Sequence, residues 1–267
     1  MLLRKLFYFL LPSLVLMMSC DLNDIDDPRT IINISDEFVV SPWENLDASE
    51  RQFQLRTETI EPTDCEEATI EMTLISTGNR LYEVSINDIK TPNDCTTGDH
   101  IATGAVSFAQ LETGDYRLRL NLKEGTVVNE GMLRVTDAVY TVEMNTTHGI
   151  RIERNTLLRI PERTLWGQVS FADDATSTQQ ATRFLEELNQ LTEPLDLNQG
   201  DYGYFRITSE DEVVIARPAP FSEVSSFVAK YSMESTEALT QLVDRYRDET
   251  NEEKLEIQLF DWRGKQY

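Results

Sequence analysis

The stretch Thr69-Ile70-Glu71-Met72-Thr73-Leu74-Ile75-Ser76-Thr77-Gly78-Asn79-Arg80-Leu81-Tyr82-Glu83-Val84-Ser85-Ile86 decides how the first half of the chain folds. Ile70, Met72 and Leu74 alternate with Thr69, Glu71 and Thr73. After Gly78-Asn79 the alternation resumes with Tyr82, Val84 and Ile86. Side chains along a strand point to opposite faces in turn, so the pattern predicts an antiparallel hairpin with one buried face and a turn at Gly78-Asn79. With Leu74 opposite Val84, Met72 falls opposite Ile86 and Ile70 opposite Asp88. Continued toward the open end, this register brings Cys65 close to Asn93, two residues short of Cys95. Each cysteine ends a Pro-x-Asp-Cys turn, Pro62 to Cys65 and Pro92 to Cys95. In an oxidising compartment this predicts a Cys65–Cys95 disulfide at the hairpin base, contributing about 3–4 kcal/mol through loop closure. The bland alternative is two free buried thiols.

Strand signals continue on both sides. Phe38-Val39-Val40 precedes Ser41-Pro42, and Phe53 and Leu55 alternate with Gln52, Gln54 and Arg56. Tyr116, Leu118, Leu120 and Leu122 share one face, Glu124-Gly125 turns the chain, and Met132–Val135, Val139–Met144 and Ile150–Ile152 supply further strands. The Gly114-Asp115-Tyr116 entry to its strand resembles the tyrosine corner of immunoglobulin-like sandwiches, where the Tyr hydroxyl ties back to the preceding turn. That resemblance implies an antiparallel β-sandwich over residues 30–159. A disulfide within one hairpin departs from the antibody pattern, so the resemblance concerns architecture alone.

Beyond Pro161 the periodicity is mixed. Leu165, Val169 and Phe171 mark a strand, in which Trp166 reads as core. Ser177 with Gln180 reads as a capping box for a helix carrying Ala181, Phe184, Leu185, Leu188 and Leu191. Tyr202–Thr208 and Glu212–Ala216 read as strands, and Val213–Ala216, apolar on both faces, reads as an inner one. Val224, Phe227, Val228 and Tyr231 fall at helical spacing, as do Leu239, Leu242, Val243 and Tyr246. Leu255, Ile257 and Leu259 alternate. The order β-α-β-β-α-β resembles a ferredoxin-like domain over residues 160–267. The expected class is therefore a two-domain α+β protein, an immunoglobulin-like sandwich followed by a ferredoxin-like domain.

The N-terminus speaks of location. Arg4 and Lys5 precede an apolar run to Met18 interrupted only by Pro12 and Ser13, and Ser19-Cys20 follows. This is a secretory signal peptide over residues 1–19, too short for a dedicated membrane span. Its end resembles the lipobox of bacterial lipoproteins, with Met at the two middle places. The resemblance implies cleavage after Ser19 and lipidation of Cys20. Two or more acyl chains hold a protein firmly, at about 0.8 kcal/mol per buried CH₂. With Cys20 used as lipid carrier, Cys65 and Cys95 remain as an even pair. Residues 20–29 are an acidic tether. Asp21, Asp24, Asp26 and Asp27 are similar to the export signal of Bacteroidota surface lipoproteins, whereas an Asp beside the cysteine signals inner-membrane retention in enterobacterial ones. The cell surface is the preferred address, with the periplasmic face as alternative.

At 267 residues the chain has room for two domains, and its formal charge of −23 becomes −25 once Arg4 and Lys5 leave with the signal. Such a surface repels nucleic acid. His100 and His148 are the only histidines and read as loop and turn residues. No zinc set, Gly-x-Ser-x-Gly, phosphate loop or dinucleotide fingerprint is present, so no cofactor or metal is expected. Asp196-Leu197-Asn198-Gln199-Gly200-Asp201 matches a calcium loop only in part, since Gly and Asp stand in reversed order and no Glu stands at the twelfth place. Trp43 and Trp262 are candidate stacking platforms for a sugar. The leading expectation is a non-enzymatic lipoprotein held to the membrane by its anchor and serving as a binding or accessory subunit of an outer-membrane assembly. The alternatives are a glycan binder using Trp43 or Trp262, and a hydrolase using two carboxylates.

Overall fold

Alternating apolar residues build the first half, and in the computed structural model they face one hollow. The structure describes residues 34–46, 51–122, 125–249 and 254–267. Its strands are β1 (Phe38–Asn45), β2 (Gln52–Thr59), β3 (Thr63–Cys65), β4 (Thr69–Ser76), β5 (Leu81–Lys90), β6 (Thr97–His100), β7 (Thr103–Ser107), β8 (Gly114–Leu122), β9 (Val127–Val135), β10 (Val139–Met144), β11 (Ile150–Ile152) and β12 (Thr156–Leu158). Apart from the small β3–β6 pair, they form one ten-stranded sheet in the order β11-β1-β2-β7-β4-β5-β8-β9-β10-β12. The sheet curls into a half-barrel around Val40, Leu55, Val84, Leu118, Leu120 and Leu133, all at most 1% exposed. Burial of such side chains is the main stabilising term of the fold.

This corrects the sandwich. Two packed sheets were expected; one continuous sheet is found, joined by parallel pairings of β5 with β8 and β1 with β11 that a sandwich of hairpins lacks. The local feature that resembled a sandwich is nonetheless present, since the Tyr116 hydroxyl donates to the Glu112 carbonyl at 2.8 Å. Pro42 does not end β1. It pairs with Leu55, and its missing N–H costs nothing because β11 covers β1 only from Phe38 to Val40.

The β4–β5 hairpin pairs Leu74 with Val84 and Met72 with Ile86. A bulge then skips Asn87, so Glu71 faces Asp88 and Ile70 faces Ile89. The extra residue advances the register by one and carries Cys65 nearer Cys95.

The second half contains β13 (Thr164–Phe171), α1 (Ala175–Leu191), β14 (Thr192–Pro194), β15 (Gly200–Asp201), β16 (Phe205–Ile207), β17 (Val213–Ile215), β18 (Glu223–Tyr231), α2 (Thr236–Glu249) and β19 (Leu255–Asp261). One antiparallel sheet has the order β14-β18-β13-β19, and β15-β16-β17 is separate. The ferredoxin-like assignment is overturned along with the sandwich: half the chain is strand and 15% helix, making the protein mostly β. Two of its elements were misplaced. Val213–Ile215 is the edge of the small three-stranded sheet rather than an inner strand. The helical stripe at Val224–Tyr231 is strand β18, paired residue for residue with β13. Its helical spacing arises because both faces carry apolar residues, Phe227 and Tyr231 on the side of the helices and Val228 on the other, with Val224 exposed at the start. Helix α1 is capped by Asp174, whose carboxylate accepts from the amides of Thr176 and Ser177, three residues before the expected Ser177 cap.

Residues 34–267 form one compact unit. A third apolar cluster, with Leu46 and Ile160 beside Trp166, Tyr202, Tyr204 and Phe260, links its halves, and the Leu46 amide donates to the Tyr204 hydroxyl.

Candidate functional site

The two edges of the curled sheet, β11 and β12, are consecutive in sequence and separated only by Glu153-Arg154-Asn155. The chain runs beside β1 as far as Ile152 and then crosses to β10. The crossing is marked by two backbone bonds, Glu153 N–H to Val40 O on one side and Val142 N–H to Asn155 O on the other. Because β12 pairs with β10 only over Val139–Thr141, the lower half of β10 separates from β11. A cleft of about 600 Å³ opens there, lined in part by Val142, Met144, Ile152, Glu143, Glu153 and Arg154. Glu143 and Glu153 are exposed.

Arg154 is held from the second half of the chain. Its Nη1 donates to Asp201 Oδ2 at 2.5 Å, and Arg206 reaches the same oxygen at 3.3 Å. Asp201 Oδ1 accepts from the Gly203 amide at 2.7 Å. With two guanidiniums and an amide on it, Asp201 is engaged in pinning the seam, and the neighbouring cations oppose a metal ion. The Asp196–Asp201 loop is thus committed to structure at its last residue.

At the other end of the seam Glu44 is 2% exposed. It pairs with Arg51, accepts from Tyr140 at 3.0 Å and lies 3.6 Å from Arg159. Burial, reinforced by the Glu44 charge, pushes the Tyr140 hydroxyl far above its ordinary range. Arg51 also donates to the Ile160 carbonyl and Arg159 to the Thr136 carbonyl. This buried network ties β1, β10 and Arg51, just before β2, to the start of the second half. Sequence periodicity gave no sign of it, because a glutamate at an inward position of a strand looks like a surface residue until its partners are known.

Cys65 and Cys95 are bonded, with Cα atoms 5.7 Å apart. Trp43 and Trp262 are both half-buried against the linking cluster. The Arg56 guanidinium lies 3.8 Å from the centre of Trp43, and Tyr204 packs on the same indole at 4.8 Å. Arg51 and Arg263 lie near the ring of Trp262. The two indoles join one cluster but present no bare pair of stacking faces. Trp166 is fully buried, as expected. His148 sits in the turn before β11, where its backbone bonds both ends of the buried Asn129 amide, and His100 ends β6. Cys20, Asp21, Asp24, Asp26 and Asp27 lie outside the described residues. Among the described residues, no helix is long and apolar enough to cross a membrane. Comparison with known proteins gave no match, whether to family models, curated proteins or solved structures.

Proposed function

We propose that this protein is a lipid-anchored surface lipoprotein, a non-enzymatic binding or accessory subunit of an outer-membrane assembly. The observation that carries the reading is cysteine parity. Of three cysteines, Cys65 and Cys95 are joined, which leaves Cys20 at the end of an apolar leader as the one available for lipid. The disulfide agrees with passage through an oxidising compartment. The glycan reading has less support, since each candidate indole has a guanidinium over its ring. The carboxylate-hydrolase reading has only the exposed Glu143 and Glu153 along an open cleft.

Fractionation of cells carrying wild type and Cys20→Ser tests the proposal. Wild type should label with fatty acid, sediment with the outer membrane and be shaved from intact cells by protease. Cys20→Ser should lose the label and appear in the soluble fraction. An unlabelled, soluble wild type would sink the anchor, and a labelled protein resistant to shaving would place it on the periplasmic face.

A further inference from the structure

The Cys65–Cys95 disulfide has a carboxylate leaning on it. Glu67 Oε2 lies 3.1 Å from Cys95 Sγ and 3.9 Å from Cys65 Sγ. The carboxylate is fixed there by the Thr96 amide, 2.9 Å from Oε2, and the Thr96 hydroxyl, 2.7 Å from Oε1. The hydroxyl bond and then the amide bond hold Glu67 below the usual carboxylate range, so it is charged at neutral pH. The two sulfurs differ in access: Cys65 is 5% exposed, whereas Cys95 is half-buried and offers the approach from solvent.

We propose that Glu67 is an electrostatic guard on this bond, slowing attack by thiolates and most of all by those that carry a second negative group. Exchange begins when an external thiolate attacks Cys95 Sγ. A new sulfur–sulfur bond forms, the Cys65–Cys95 bond breaks, and its electron pair leaves on Cys65 as a thiolate. A second external thiol then attacks the mixed disulfide and releases Cys95, so two electrons from two thiols reduce one disulfide. The attacking thiolate and the departing Cys65 sulfur both carry negative charge within a few ångströms of Glu67. A thiol with a second negative group is repelled further, and one with an ammonium group is attracted. The carboxylate thereby protects a solvent-accessible staple without burying it.

The test measures reduction of the full chain by 2-mercaptoethanesulfonate, an anionic thiol, and cysteamine, a cationic one, at equal thiolate concentration and low salt. Quenched samples are alkylated and read by mass. Glu67→Gln should raise the rate with the anionic thiol about three- to tenfold more than the rate with cysteamine. Glu67→Lys should move the preference further the same way. Glu186→Gln, an equal charge change on the exposed face of α1, should alter both rates less than twofold. Equal acceleration of both thiols by Glu67→Gln would mean a loosened loop rather than a guard and would overturn the proposal. So would unchanged rates, or two alkylatable thiols before any reductant is added.

Discussion

The tripeptide Gly-Asp-Tyr occurs twice, at Gly114-Asp115-Tyr116 in the curled sheet and at Gly200-Asp201-Tyr202 in the second half. The two copies fold alike. Each glycine opens a strand at φ 145°, a region almost closed to other residues. Each tyrosine is buried and returns its hydroxyl to the carbonyl four residues earlier, Tyr116 to Glu112 at 2.8 Å and Tyr202 to Asn198 at 3.0 Å. The aspartates part company. The Asp115 side chain is 53% exposed and meets Arg134, itself largely in solvent. That of Asp201 is 12% exposed and gathers Arg154, Arg206 and the Gly203 amide. Three residues thus set a local geometry that repeats regardless of the sheet it enters, and the neighbourhood decides what the aspartate does with it.

The glycines give the largest expected effect. Alanine at either position is strained by about 1–3 kcal/mol, because that backbone region admits glycine almost alone. The surroundings then separate the two. A Cβ at Gly114 meets the Nη1 end of exposed Arg80, which can swing away, whereas at Gly200 it falls 2.7 Å from Leu158 Cδ1 on β12. Gly200→Ala should therefore lose about 1 kcal/mol more than Gly114→Ala, as read from urea unfolding midpoints. Equal losses would show that backbone strain alone governs both turns.

The same pair of turns shows what was legible in the sequence. Alternation at Ile70–Ile86 and Tyr116–Leu122 gave strands and faces correctly, because inward and outward positions differ in polarity within one segment. The tyrosine tie at Tyr116 could be read from three residues, but it was attached to the wrong architecture, since a local turn carries no information about which strands close the sheet. The parallel pairing of β5 with β8 joins residues more than thirty positions apart and leaves no periodic trace. Val224–Tyr231 failed for a different reason: a strand apolar on both faces can imitate a helix stripe, and only its pairing with β13 decides. Asp201 was weighed as a calcium ligand, while the repeated Gly-Asp-Tyr pointed instead to a structural turn. Its partner Arg154 lies forty-seven positions away and was invisible. The Glu67 contact was legible only in its spacing, two residues beyond Cys65.

The aspartates should come next in size. Asp201→Asn leaves Arg154 and Arg206 without their shared charge at a partly buried position and should cost about 1–2 kcal/mol. Asp115→Asn removes an exposed pair and should cost less than about 0.5 kcal/mol, a loss that disappears in high salt. Arg154→Ala should cost about as much as Asp201→Asn, and the double variant should cost less than the sum of the singles, because the pair is one interaction. Additive losses would mean that Asp201 supports the Gly203 turn rather than the seam.

The smallest effect is a matter of pH. Burial pushes the Tyr202 hydroxyl above its ordinary value near 10. Tyrosine is neutral when protonated, so above pH 10 the unfolded chain releases this proton before the folded one. The folded state then holds more protons, and stability must fall as pH rises. The contribution is whole below about pH 10 and is lost as pH climbs through the folded value. Tyr140 and Tyr231 are pushed in the same direction, first by burial and then by the charges of Glu44 and Asp261, and they add to the same alkaline limb. Tyr202→Phe removes one hydrogen bond, about 0.5–1.5 kcal/mol at neutral pH, and should make the decline between pH 9 and 11 shallower. Tyr116→Phe removes the matching bond to Glu112 and serves as the neutral-pH reference for the other copy. Urea midpoints measured at half-unit steps would show the change. A Tyr202→Phe profile parallel to wild type throughout would mean that this hydroxyl is as open to base in the folded turn as in the unfolded chain, and that the second turn is less closed than its packing against Phe205 implies.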